Sequence, residues 1–94
     1  MGLGYALTEE VRFSDGRVLD VNFDTYSIPG FSSLPQIETI IVPNSALPPK
    51  GGGEPAIVCM GGVLATAVYD ATGAKICRLP MTPERVKLAL KTAG

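Results

Sequence analysis

The residues best suited to chemistry are Lys50-Gly51-Gly52-Gly53-Glu54-Pro55, a carboxylate set directly after three glycines. Glycine has no side chain to hold a neighbouring backbone or ligand away, and it adopts positive φ freely. Pro55 has a fixed φ and no N–H, which suits the first turn of a helix. The run from Ala56 to Tyr69 that follows carries no charge. These features predict a loop that presents one acid at the mouth of a buried helix. An acid so placed could act as a general base if it came within hydrogen-bond reach of a reacting group.

Two readings of Glu54 are open on the residues alone. Complementing the dipole at a helix N-terminus is worth only about 0.3–1 kcal/mol, and composition by itself favours that role. The three glycines argue against it, since each costs backbone entropy and a simple cap needs none. Phosphate motifs fit poorly. A Walker loop needs Lys-Ser/Thr after its last glycine, where Glu54-Pro55 stands, and a dinucleotide fingerprint needs glycine at Ala56. Free N–H groups at the start of the helix would still suit some anion.

Composition narrows the chemistry further. Histidine is absent, which excludes Ser–His and Cys–His nucleophiles and histidine-based zinc sites. Cys59 and Cys77 match no metal spacing, and buried structural thiols are expected rather than a bridge. A net charge of −1 and the lack of Trp give no basis for nucleic-acid binding. The uncharged run Pro55–Tyr69 falls short of the ~20 residues that span a bilayer. Met1–Thr8 shows no basic start or cleavage site, so a cytoplasmic location is expected. With 94 residues and 46% hydrophobic content, the chain is expected to form one small domain with a core.

The elements around the loop are read in order. Met1–Leu7 predicts a short helix with Leu3 and Leu7 on one face, resembling the end of something longer. Asp15-Gly16 between β-formers predicts a hairpin. A two-residue turn would set Phe13 opposite Val18 but Val11 opposite Asp20, so pattern alone leaves the register open. Asn22–Gln36 reads as an irregular wrap anchored by Phe23, Tyr26 and Phe31. Ile37–Val42 reads as a largely covered strand, closed by Pro43. Ala56–Thr72 is predicted as a buried helix ended by Gly73, with small residues from Gly61 to Ala67 that allow close approach. Ile76–Leu79 is a short strand or extended arm. Thr82-Pro83-Glu84 opens an amphipathic helix carrying Val86, Ala89, Leu90 and Ala93 on one face. The expected fold is α+β: a hairpin and a further strand packed with a buried central helix and a C-terminal amphipathic helix.

Several stretches, in order, resemble the closing region of the large subunit of molybdenum hydroxylases, the xanthine dehydrogenase and aldehyde oxidase family that includes isoquinoline-type oxidoreductases. They are Gly2-Leu3-Gly4 with Ala6-Leu7 and Glu9, Asp15-Gly16-Arg17-Val18, Tyr26-Ser27-Ile28-Pro29, Lys50–Pro55, Ala67–Gly73 and Leu79–Val86. The Gly-x-Gly-Glu-Pro element is the specific part. The match covers nearly all of this chain but only the closing portion of the family's subunit. It departs from the family at Phe31–Leu34, where an acid is common, and at Gly52, where an aliphatic residue is frequent.

The resemblance implies that residues 1–94 are a partial domain, the C-terminal portion of a molybdopterin-binding domain. It implies that Glu54 is the base beside the molybdenum and that Gly51, Gly52 and Gly53 lie against the cofactor. No residue of this chain is expected to ligate the metal. Iron–sulfur centres and FAD would sit only on other domains or subunits. The implied reaction hydroxylates an aldehyde or N-heterocycle carbon with water-derived oxygen. The chain alone is not expected to be active, and it requires the remainder of the large subunit or a partner chain. Exposed apolar surface would otherwise favour self-association. The alternative is a non-catalytic remnant that serves as a small binding or assembly module.

Overall fold

In the computed structural model, which describes residues 1–93, helix α1 (Gly2–Leu7) is followed by a hairpin of β1 (Phe13–Ser14) and β2 (Arg17–Val18). A long irregular segment then leads to α2 (Pro55–Val58), α3 (Met60–Thr72) and α4 (Pro83–Ala93). The fold is α+β. The hairpin pairs Phe13 with Val18 and Ser14 with Arg17. Asp15 (φ 50°) and Gly16 (φ 75°) form the turn, the two positive dihedrals that a type I′ connection needs.

That register would strand Asp20 on an apolar position, and the chain resolves the conflict with Arg12. The Arg12 guanidinium lies 2.6 Å from the Asp20 carboxylate, whose side chain is fully buried, and the Arg12 backbone N–H donates to it as well. These bonds hold the Asp20 carboxyl below the usual carboxylate range and raise Arg12 above its ordinary value.

The core is small. Ala6, Ala74 and Met81 are its buried apolar residues among those described. The Met81 N–H donates to the Ala6 carbonyl at 2.6 Å, tying the segment before α4 to α1. Helix α1 meets the start of α3 through glycine: a Cβ on Gly2 would overlap Met60. Gly61 likewise admits Leu79, whose Cδ1 lies 2.9 Å from where a Cβ would stand, whereas Gly62 faces open space. The expected close approach is therefore made at one of the two adjacent glycines.

Both helix ends read from local residues are present. Gly73 takes φ 75° and donates to the Tyr69 carbonyl, closing α3. At α4 the Thr82 hydroxyl accepts from the Arg85 N–H. The Glu84 carboxylate accepts from its own N–H and from the Thr82 hydroxyl, which lowers its pKa.

Other expectations are corrected. The predicted Ala56–Thr72 helix is interrupted at Cys59, just before the weak helix formers Gly61 and Gly62. It is not buried, because α1 and Leu79 cover only one side of it, where Ile57, Met60, Gly61 and Leu64 are half-buried, and Val58 and Val63 stay exposed. By length and composition alone, Pro55–Thr72 is apolar enough to cross a membrane.

Ile37–Val42 forms no strand. A strand exists only with a partner, and the one sheet among the described residues is the two-stranded hairpin. Ile76–Leu79 is likewise unpaired and runs as an arm. Cys59 and Cys77 are free but exposed, correcting the expectation of buried thiols: Cys59, between α2 and α3, and Cys77, on the arm after α3, both lie outside the small core. Of the three aromatic anchors only Tyr26 holds, through its hydroxyl 2.6 Å from the Glu9 carboxylate. Phe23 and Phe31 are exposed.

The molecule is accordingly extended. Its radius of gyration is 17.1 Å, where a compact chain of this length has about 12 Å. Its accessible area is 8029 Å², where about 5,200 Å² is normal for its mass.

Candidate active site

The glycine loop lies between the prolines that follow Val42 and the start of α2. Pro43, Pro48 and Pro49 remove backbone donors along this approach, which holds a turn at Ser45–Ala46 but no helix or strand. Gly53 takes φ 57°, a left-handed conformation that an L side chain resists. This turn delivers the chain into Glu54, whose carbonyl accepts from the Ile57 and Val58 N–H groups and starts α2. Pro55 occupies the first helical position, as expected.

Glu54 stands at the cap position of α2, yet its side chain makes no cap hydrogen bond. Its carboxylate is exposed and has no ion-pair partner among the described residues. Its side chain therefore gives the helix no capping hydrogen bond. Helix α2 is a single turn, so the dipole behind Glu54 is slight. Gly51 and Gly52 have nothing within 4 Å of where a Cβ would stand. Lys50 is exposed as well.

The fold thus brings Gly51, Gly52, Gly53 and Glu54 together in one open loop. Among the described residues, no other side chain hydrogen-bonds or pairs with Glu54 or Lys50. A shallow groove along the helix is lined by Val58, Cys59, Gly62, Val63 and Thr66, and it does not include Glu54. Among the described residues, no three acids or cysteines lie together in a way that could hold a metal ion.

The charged and polar groups that do meet belong to the scaffold, and sequence reasoning did not pair them. Asp20 with Arg12, Glu9 with Tyr26, and Glu10 with Arg85 join segments distant in sequence. One of them left a trace: Val11 opposite Asp20 was a mismatch in the hairpin pattern, and a buried acid beside Arg12 is its explanation.

No protein-family profile matches the chain. Relatives nonetheless align along nearly all of it. A nicotinate dehydrogenase subunit from Pseudomonas putida is 39% identical over 88 residues, covering 94% of this chain and 7% of that protein. The xanthine dehydrogenase molybdenum-binding subunit of Escherichia coli O157:H7 is 38% identical over 100 aligned positions, covering 100% of this chain and 13% of that subunit. The aldehyde oxidoreductase molybdenum-binding subunit of Escherichia coli K12 is 32% identical over 93 positions, covering 92% of this chain and 13% of that subunit. The chain thus spans only a small part of the length of the relatives it matches. These alignments along nearly all of the chain lead to one assignment: this chain belongs to the xanthine dehydrogenase and aldehyde oxidoreductase family of molybdenum-binding subunits.

Proposed function

We infer that this chain is the C-terminal piece of the molybdopterin-binding domain of a molybdenum hydroxylase, and that Glu54 is its catalytic base. The observation that carries the reading is the state of Glu54. It caps a helix without using its side chain, on a glycine loop open to whatever lies above it. A carboxylate spared from capping can take a proton from a reacting group.

The residues fit an edge of a cofactor site. Gly51, Gly52 and Gly53 would let the backbone lie against a large planar group, since no atoms crowd Gly51 or Gly52. The donor set holds one carboxylate and no metal-binding cluster among the described residues, which suits a base beside a metal and not its ligand shell. When bound, the molybdenum cofactor supplies two-electron oxidation of a carbon with oxygen derived from water. The part of Glu54 is to hold and release a proton at its carboxylate oxygen.

The substrate class follows the family: an aldehyde or an electron-poor N-heterocycle, as the names of the relatives suggest. Iron–sulfur and flavin centres belong to other domains or subunits, and the chain is inactive by itself. It acts with the remainder of the large subunit, in the cytoplasm. The test is the molybdenum and pterin content of the natively purified protein together with its co-purifying chains. Molybdenum with a large partner is the expected result. A metal-free protein that keeps its partner would instead indicate a non-catalytic assembly module.

A further inference from the structure

We propose that Ile37–Val42 is a docking strand, which adds to an open sheet edge in the remainder of the molybdenum-binding subunit and thereby positions the glycine loop. The inference rests on the proposed function, because it takes that remainder as the occupant. Three observations carry it.

The first is the pattern. Ile37, Thr39 and Ile41 would share one face of a strand, and Glu38, Ile40 and Val42 the other, so both faces are mainly apolar. Such strands belong inside sheets covered on both sides. Here Ile40 is 80% exposed and Ile41 85% exposed, and no backbone group from Ile37 to Val42 is hydrogen-bonded among the described residues. The segment has the composition of an inner strand and lacks a sheet.

The second observation is area. The accessible surface exceeds that of a compact chain of this mass by about 2,900 Å². A standard interface needs only about 800 Å² from each partner. Area is therefore available for one extensive contact, and Ile37, Ile40, Ile41 and Val42 are exposed within it.

The third observation selects the occupant. A second copy could pair Ile37–Val42 with itself, but the one sheet among a copy's described residues is a hairpin of two-residue strands. It has no layered sheet to cover both faces. The relatives are many times longer than this chain, so the missing length has room for such a sheet. Only Pro43 to Gly53 separates the docking strand from Glu54, and three prolines stiffen that connection. Pairing at Ile37–Val42 would thus limit where Glu54 can lie.

Hydrogen exchange read by mass spectrometry tests the proposal on the natively purified assembly and on this chain alone. Amides of Ile37–Val42 should exchange freely in the chain alone and become protected in the assembly. An Ile41→Pro variant removes one ladder donor. It should leave the circular dichroism of the free chain unchanged, since that donor is unused here. Recovery of the variant with its partner should fall by about tenfold or more. An assembly that contains molybdenum but leaves these amides unprotected overturns the docking strand and spares the proposed function. Protection that rises with concentration in the free chain makes a second copy the occupant and overturns it too. If no partner is recovered and no molybdenum is present, the proposed function fails and the docking strand falls with it.

Discussion

The guanidinium of Arg85 lies 2.7 Å from the carboxylate of Glu10, 75 positions earlier in the chain, and also donates to the Pro80 carbonyl at 2.9 Å. One side chain thus ties the start of α4 to the segment after α1. With so few buried apolar residues, polar clips of this kind bear an unusual share of the stability. Arg85→Ala should lower stability by about 1–2 kcal/mol, the range for a partly buried charged hydrogen bond discounted for solvent. Thermal unfolding of the variant, of Glu10→Gln and of the double variant would measure it. Additive losses would mean that the pair does not interact.

Asp20 predicts an acid-side dependence. Its folded pKa is depressed by the hydrogen bonds from Arg12. The stabilisation is therefore fully present above the ordinary carboxylate value of about 4, and it is lost as pH falls from there through the lower folded value. Asp20→Asn should unfold at a temperature several degrees lower near neutral pH. The gap to the parent chain should narrow in strong acid. A gap independent of pH would assign Asp20 a purely steric role.

The three glycines of the loop should respond differently to alanine. Gly51 and Gly52 face open space, so either substitution should leave the melting of the free chain unchanged. Gly53, at φ 57°, should lose about 1–2 kcal/mol locally. In the natively purified assembly, Gly51→Ala should reduce pterin content if the loop lies against the cofactor, whereas Gly52→Ala, at the position where the family tolerates an aliphatic side chain, should not. Full pterin content in Gly51→Ala would place the cofactor elsewhere.

Glu54→Gln keeps the shape of the side chain and removes the base. In the assembled enzyme it should lower turnover by roughly 10²–10⁴-fold while molybdenum content holds. Loss of metal in step with activity would make Glu54 structural. The free chain should melt unchanged, because the side chain has no cap bond or ion pair to lose.

Features that depend on a few contiguous residues were determined by the sequence itself. Asp15-Gly16 makes its turn through backbone dihedrals alone, Gly73 ends α3 by taking φ 75°, and Thr82-Pro83 starts α4 with a hydroxyl and a fixed φ. The glycine loop with Glu54 and Pro55, and the family it points to, was readable for the same reason. Features that need a second surface were decided by the tertiary structure. β-Branched residues at Ile37–Val42 favour a strand, but pairing requires an edge, and no described segment supplies one. The apolar run after Pro55 forms helices, but their burial requires a covering layer, so Cys59 and Val63 stay in solvent. The pairings of Arg12 with Asp20 and of Glu10 with Arg85 likewise became visible only in the fold, because charge attraction acts through space and sequence records only order.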